Sequence, residues 1–153
     1  MLSYEMKIEI SQEEGLNLLI TRETDYALRI LRTLSDGQQI TTEGICKREL
    51  LPQQFVYKIL KKMERAGYVQ ITRGTDGGCR LIADLNSKSL YDLIEVMEAE
   101  KRISSCMQPG FVCEWRLSHG TRCTVHNRLM QIQNVLDTEL RKHSLHQMLF
   151  DED

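Results

Sequence analysis

The chain has 153 residues, of which 41% are hydrophobic and 27% charged, and its formal net charge at pH 7 is −2. This length suffices for one domain with a buried core, and the composition is ordinary for a globular protein. No apolar run nears the roughly 18 residues of a membrane span, and the acidic start MLSYEMKIEISQEEG is unlike a signal peptide. We therefore expect a cytoplasmic protein with no membrane contact.

The charge is distributed unevenly along the chain. Between Lys47 and Arg80 there are eight basic and three acidic residues, so this segment carries +5 and the remainder carries −7. A basic segment within an acidic protein is typical of a DNA-binding module attached to a separate body. The charge pattern therefore predicts nucleic acid, and no small-molecule substrate, as the partner.

The first half of the chain predicts three helices and a hairpin after an N-terminal extension. Residues 1–19 show only weak alternation, which fits a short strand, an arm or no regular structure. Capping residues, apolar periods and stop signals then predict helices from Thr21 to about Leu34, from Thr42 to Glu49 and from Pro52 to about Ala66. Two short β-rich runs around the turn RGTDGG predict a β-hairpin.

The second half predicts two helices separated by a loop. A fourth helix follows Ser87 or Ser89, whereas residues 101–122 lack periodicity and contain proline and glycines, which predicts a loop. The last helix is expected to begin near Thr121 or Thr124. Its apolar residues form a seam, suited to burial or to pairing with another helix, at Leu129, Ile132, Leu136 and Leu140.

The order of helix, short helix, tight turn, helix and hairpin predicts a winged helix-turn-helix. The expected fold is mainly α with a small β-hairpin, followed by a long C-terminal dimerisation helix. The predicted parts are an N-terminal extension (1–19), the DNA-binding domain (20–86), a connecting helix (87–103), a cysteine-rich loop (104–124), and a dimerisation helix with an acidic tail (125–153).

The predicted DNA-reading surface combines the third helix with the hairpin. Glutamine can pair with adenine, and lysine and tyrosine can reach bases or phosphates. An arginine at the hairpin tip suits a narrow minor groove, and glycines allow the backbone to approach the duplex. The candidate residues are Gln53, Gln54, Tyr57, Lys58, Lys61, Arg73, Gly77 and Gly78. Basic helix faces are often merely solvated, but the order of elements favours DNA binding.

Three of the five cysteines, Cys106, Cys113 and Cys123, lie in or beside the predicted loop. Thiolates are soft ligands that suit iron–sulfur clusters and zinc. His126 follows Cys123 by three residues, so the two can face one point. The four side chains would complete the ligand set of a 2Fe-2S cluster or of a structural zinc site. The two remaining cysteines, Cys46 and Cys79, are interpreted as packing residues.

The segments ETDYALRIL, FVYKILKKMERAGYVQITRGTDGGCRL and SLYDLIEVMEA resemble the Rrf2 family of bacterial regulators, from residue 20 to about residue 145. The resemblance implies a homodimer, with the last helix crossing to the partner, on a partly palindromic operator in double-stranded DNA. IscR-like members place a histidine three residues after the last loop cysteine, as His126 stands here. NsrR-like members use an aspartate of the first helix from the other subunit, here Asp25. The cysteine spacing is wider than is usual in these members.

Residues and resemblance together predict a sequence-specific DNA-binding regulator that senses redox state, nitric oxide or iron–sulfur status. A bound cluster would be the sensor, with 2Fe-2S favoured over 4Fe-4S. One alternative is a cluster-free regulator controlled by a protein partner or by thiol oxidation, and another is a zinc-stabilised regulator. A thiol-based redox enzyme is disfavoured because the sequence has no CxxC pair and no nucleotide-binding glycine motif.

Overall fold

A computed structural model describes residues 19–151, so the predicted N-terminal extension lies almost wholly outside the described residues. Within them, seven α-helices, a short 3-10 turn and a two-stranded antiparallel sheet follow one another. The helices are α1 (Arg22–Leu34), α2 (Thr42–Glu49), α3 (Gln53–Arg65), α4 (Leu90–Met97), α5 (Glu114–His119), α6 (Thr124–Lys142) and α7 (Leu145–Phe150), and the strands are β1 (Val69–Thr72) and β2 (Gly78–Leu81). None of these helices is long and apolar enough to span a bilayer.

Local sequence sets the ends of the first three helices. The Thr21 hydroxyl caps α1 by accepting from the backbone N–H of Glu23, and the Thr41 hydroxyl caps α2 in the same way. The α2 helix ends at Leu50, whose left-handed backbone (φ 54°) turns the chain toward α3. Pro52 precedes α3 as its N-cap, so this helix begins one residue later than predicted.

The core lies where α1, α3 and α4 meet the hairpin. Each of these helices turns an apolar stripe inward, and burying one such side chain contributes roughly 1.5–3 kcal/mol. The fully buried members include Ile30, Leu31, Leu34, Ile59, Leu60, Met63, Leu93 and Ile94. This core fixes α3, the expected recognition helix, against the rest of the domain.

The hairpin is anchored to the domain through Cys79 in β2. The Cys79 backbone N–H donates to the Ile40 carbonyl at 2.7 Å, and the Ile40 N–H donates back to Cys79 at 2.9 Å. Burial raises the pKa of the Cys79 thiol to about 12, so the thiol stays protonated at neutral pH. This cysteine is therefore a packing residue, as interpreted from the sequence.

The region after α4 is more ordered than the predicted loop. Residues 101–122 contain a 3-10 turn at Ser105–Met107 and the helix α5, so the expectation of a continuous loop is wrong. The α6 helix begins at Thr124, one of the two predicted starts, and ends at Lys142. The unpredicted α7 then folds back: Leu145 is fully buried, and its N–H donates to the Lys88 carbonyl at 2.8 Å.

Candidate nucleic-acid interface and metal centre

A groove of about 540 Å³ lies between the start of α2, the outer face of α3 and the hairpin. Gln53, Tyr57 and Lys61 line it and are spaced four residues apart in α3, which places them on one helix face. Six of the eight candidate DNA-reading residues line this groove, namely Gln53, Tyr57, Lys61, Arg73, Gly77 and Gly78. The fold therefore gathers most of the candidates on one concave surface, and their contact with DNA stays a prediction.

The two glycines have structural roles in the hairpin as well. A Cβ atom at Gly77 would lie 2.5 Å from the carbonyl oxygen of Thr72, and one at Gly78 would lie 2.9 Å from that of Ile40. Both distances are shorter than a real Cβ contact allows. Both positions thus require glycine because other backbone atoms of the protein lie close to them, independently of any contact with DNA.

Two basic residues of the groove are free for anionic ligands. Lys61 and Arg73 are exposed, and neither forms an ion pair with another residue in the range 19–151. An unpaired, exposed cation can approach a phosphate without first breaking an internal contact. Tyr57 lines the same groove with its ring half exposed, and its hydroxyl accepts from Gln53 Nε2 at 3.4 Å.

The other two candidates, Gln54 and Lys58, do not line the groove. Gln54 is exposed, whereas the Lys58 ammonium group forms an ion pair with Glu23 of α1. Lys62 pairs with the same carboxylate and also donates to the Met97 carbonyl oxygen at 2.8 Å. Sequence reasoning could not find this arrangement because Glu23 lies 35 residues from Lys58 along the chain.

All four candidate metal ligands line a second cavity, of about 660 Å³. Cys106 lies in the 3-10 turn, Cys113 is the N-cap of α5, and Cys123 is the N-cap of α6. Three separate elements contribute the cysteines, which all line this cavity despite their wide and irregular spacing. The cavity wall also contains apolar residues, among them Phe111, Leu117 and Leu129.

His126 stands at the centre of the contacts in this cavity. Its Nδ1 atom lies 3.3 Å from Cys106 Sγ, which also lies 3.2 Å from the Ser104 hydroxyl. Its backbone N–H donates to Cys123 Sγ at 3.4 Å. Three of the four candidate ligands are thus linked through one residue.

The donor types in this cavity suit either an iron–sulfur cluster or zinc. No three His, Cys, Asp or Glu side chains within residues 19–151 converge on a single metal position. Zinc requires its ligand atoms about 2.0–2.3 Å from one point, whereas a 2Fe-2S cluster divides four ligands between two irons. Three thiols and an imidazole around one cavity match the ligand types that a cluster uses, and their binding of a metal stays a prediction.

The remaining candidates lie outside the cavity. Asp25 is half-exposed on α1 and forms an ion pair with Arg29 at 3.0 Å, and its role as a ligand to the other subunit stays a prediction. Trp115 stacks on His119 with the ring centroids 4.4 Å apart and does not line the cavity. Phe111, by contrast, lines the cavity.

Comparison with known proteins identifies the family. Residues 20–151 match the Rrf2 family, described as iron-dependent transcriptional regulators. The chain belongs to the Rrf2 family. Protein aau3 of Rhizobium meliloti (strain 1021) is 30% identical over 120 residues, which cover 76% of this chain and 78% of that protein. Rrf2 proteins are DNA-binding transcriptional regulators, so this chain is a regulator and not an enzyme.

Solved structures confirm the winged-helix fold of this Rrf2 protein. The Bacillus subtilis global cysteine regulator CymR superposes with a TM-score of 0.66 at 19% identity and covers 89% of this chain and 99% of its own. IscR of T. potens superposes with a TM-score of 0.62 at 15% identity and covers 89% of both chains. At these identities the likeness establishes the shared fold, which agrees with the predicted winged helix-turn-helix.

Proposed function

We propose that this Rrf2 regulator senses redox state, nitric oxide or iron–sulfur status through a 2Fe-2S cluster held by Cys106, Cys113, Cys123 and His126. The observation that carries the proposal is the 3.3 Å contact between Cys106 Sγ and His126 Nδ1. The two residues are 20 positions apart, and their meeting point opens into the cavity that both other thiols line. The imidazole thus lies beside one thiol in a cavity that the two other thiols also line.

The protein groups around the candidate ligands would tune the reduction potential of a bound cluster. When bound, the cluster would supply a one-electron couple and iron sites that oxygen or nitric oxide can attack. Hydrogen bonds to ligand sulfurs and the exchange of a thiolate for an imidazole both raise the reduction potential of such centres. The Ser104 hydroxyl beside Cys106 and the His126 N–H on Cys123 are placed to contribute in this way.

The α6 helix supports a homodimer. The helix has 19 residues, and Gln133 is its one buried member within the described chain. Apolar side chains on its outer surface are exposed, notably Val125 (64%), Ile132 (56%) and Val135 (71%). An apolar stripe of this kind favours a partner helix, and a second copy related by a two-fold axis would suit a palindromic operator. We place this regulator in the cytoplasm, where its thiols would stay reduced.

Cluster-free control by thiol oxidation is the second candidate. The same Cys106–His126 contact favours it because an imidazole beside a thiol can take up the proton that the thiol loses when its sulfur is oxidised. Under this alternative, operator affinity would be equal with and without iron and would change when peroxide is added. Control by a protein partner would leave the affinity unchanged by either treatment, and a zinc-stabilised regulator would contain zinc and lack colour.

The deciding experiment is a visible absorption spectrum of protein purified without oxygen, with iron and sulfide counts. We expect a coloured protein with about two irons and two sulfides per chain. Replacing Cys106, Cys113 or Cys123 by serine should remove the colour, whereas Cys46→Ser in α2 is the matched control and should keep it. Colourless protein without iron would contradict the proposal.

The fourth ligand can be identified with two further variants. His126→Ala should abolish or alter the spectrum if the imidazole is the ligand, and Asp25→Ala should then leave the spectrum unchanged. The reverse pattern would assign the fourth position to Asp25 of the other subunit. Both side chains are at least partly exposed, so neither replacement is expected to disturb the core.

A further inference from the structure

The one buried residue of α6 is polar. Gln133 is 1% exposed, whereas every other side chain of this helix is half-buried or exposed in the described chain. Burying an amide without hydrogen-bond partners costs roughly 1–3 kcal/mol, so a glutamine in such a place is informative. The hydrogen bonds of the Gln133 side chain show which parts of the chain it connects.

Both ends of the Gln133 amide are paired. Oε1 accepts from the backbone N–H of Ile103 at 2.8 Å, and Nε2 donates to Asp137 Oδ1 at 2.7 Å. The orientation of the amide is unambiguous because a backbone N–H only donates and an ionised carboxylate only accepts. Among side chains of this length, glutamine alone can satisfy both neighbours at once.

The position of this contact sets the register of the cysteine site. Ile103 lies three residues before Cys106, and Gln133 lies seven residues after His126. Between Ile103 and Cys106 the chain is extended at Ser104 and then enters the 3-10 turn Ser105–Met107, which packs against α6. The hydrogen bond from Ile103 to Gln133 therefore fixes the chain on α6 three residues before Cys106, whose sulfur makes the 3.3 Å contact with His126.

We propose that Gln133 is a positioning residue that holds Cys106 against His126 in the metal-free protein. Half of the cysteine site is then assembled before any metal centre arrives. This inference rests on the proposed function only for the identity of the bound centre. The pairing of Cys106 with His126 that it explains belongs to the protein alone.

The test is a double-mutant cycle on metal-free, full-length protein, read out as the alkylation rate of Cys106 by iodoacetamide. His126→Ala is expected to change this rate by a measurable factor in the otherwise wild-type protein. In the Gln133→Met background, which keeps the side-chain length but cannot bind Ile103, the factor should fall to about one. The proposal would be overturned if His126→Ala changed the alkylation rate by the same factor in both backgrounds. It would also be overturned if His126→Ala changed the rate in neither background.

Two controls separate positioning from general destabilisation. Gln131→Met makes the same change at an exposed site of the same helix and should keep the wild-type factor. Asp137→Asn still offers an oxygen to Gln133 Nε2, so this variant should also keep the wild-type effect of His126→Ala on the alkylation rate. If the Gln133→Met protein does not fold, Gln133→Asn replaces it in the cycle. Asparagine keeps the amide group but is too short to reach Ile103, and the same outcomes support or overturn the proposal.

A second measurement distinguishes failure of this inference from failure of the proposed function. If the wild-type protein carries a cluster, Gln133→Met should lose it to a chelator faster than Gln131→Met does. Equal loss rates would count against the positioning role. A colourless wild-type protein would refute the proposed function and leave the alkylation cycle to decide the role of Gln133 by itself.

Discussion

Glu23 of α1 joins the first helix to the recognition helix through a single carboxylate. Its side chain is 18% exposed and receives the ammonium groups of both Lys58 and Lys62. Burial by itself raises the pKa of Glu23, but the hydrogen bonds and charges of the two lysines outweigh burial and hold the pKa below its ordinary value. Because the folded state favours the ionised form, Glu23 links the stability of the domain to pH.

Removing this carboxylate should weaken the fold at neutral pH but not in acid. A lowered pKa contributes stability above the ordinary value of 4.5, and that stability is lost as the pH falls through the folded-state pKa. Glu23→Gln should therefore lower the free energy of unfolding by about 1–2 kcal/mol at pH 7. Urea titrations at pH 7 and in acid measure the difference, which should shrink as the pH falls.

The control for this pH effect is Glu43→Gln, which removes an exposed ion pair with Lys47 on α2. Solvent screens such a pair, so this replacement should barely change stability at either pH. A Glu23→Gln protein as stable as the wild type at pH 7 would show that the two lysines do not hold the carboxylate.

At the scale of elements, the helices that could be predicted are those set by residues close together in the sequence. The α1, α2 and α4 helices follow from capping threonines or serine and from apolar periods that are visible along the chain. The α5 and α7 helices were missed because each has six residues, too few to show a helical period. The burial of Gln133 and the pairing of Lys58 depend on residues at least 30 positions away, which no local pattern reveals.

The structure also separates two lysines of α3 that are equivalent in sequence. Lys61 lines the groove and has no ion pair within the described residues, whereas Lys58 is held by Glu23. Lys61→Ala should therefore lower operator affinity and reduce the slope of log affinity against log salt by about one. Lys58→Ala is the matched comparison and should change both quantities less. Fluorescence anisotropy across a salt series measures them, and equal effects would contradict the assignment.

At the scale of the whole molecule, the end of α4 lies between the cysteine site and the DNA-reading helices. Glu98 Oε1 accepts from the Thr21 N–H at 3.1 Å, from the Thr21 hydroxyl at 2.7 Å and from the hydroxyl of Thr24. The neighbouring Met97 carbonyl accepts from Lys62 of α3 at 2.8 Å. The chain then continues to Ile103 and Cys106, so the contacts of Glu98 and Met97 connect the segment before the cysteine site to α1 and α3.

If this junction transmits the state of the sensor, Glu98→Ala should uncouple the two functions. The replacement leaves the Thr24 hydroxyl, which is fully buried, without its acceptor, while the cysteine ligands are untouched. The visible spectrum is expected to stay unchanged. The operator affinity of the cluster-loaded protein divided by that of the cluster-free protein should move toward one. Glu98→Gln keeps an oxygen for the three donors and should retain most of the wild-type ratio. A Glu98→Ala protein that weakens both forms equally would show that Glu98 supports the fold alone, and that the signal passes by another route, such as the α6 helix.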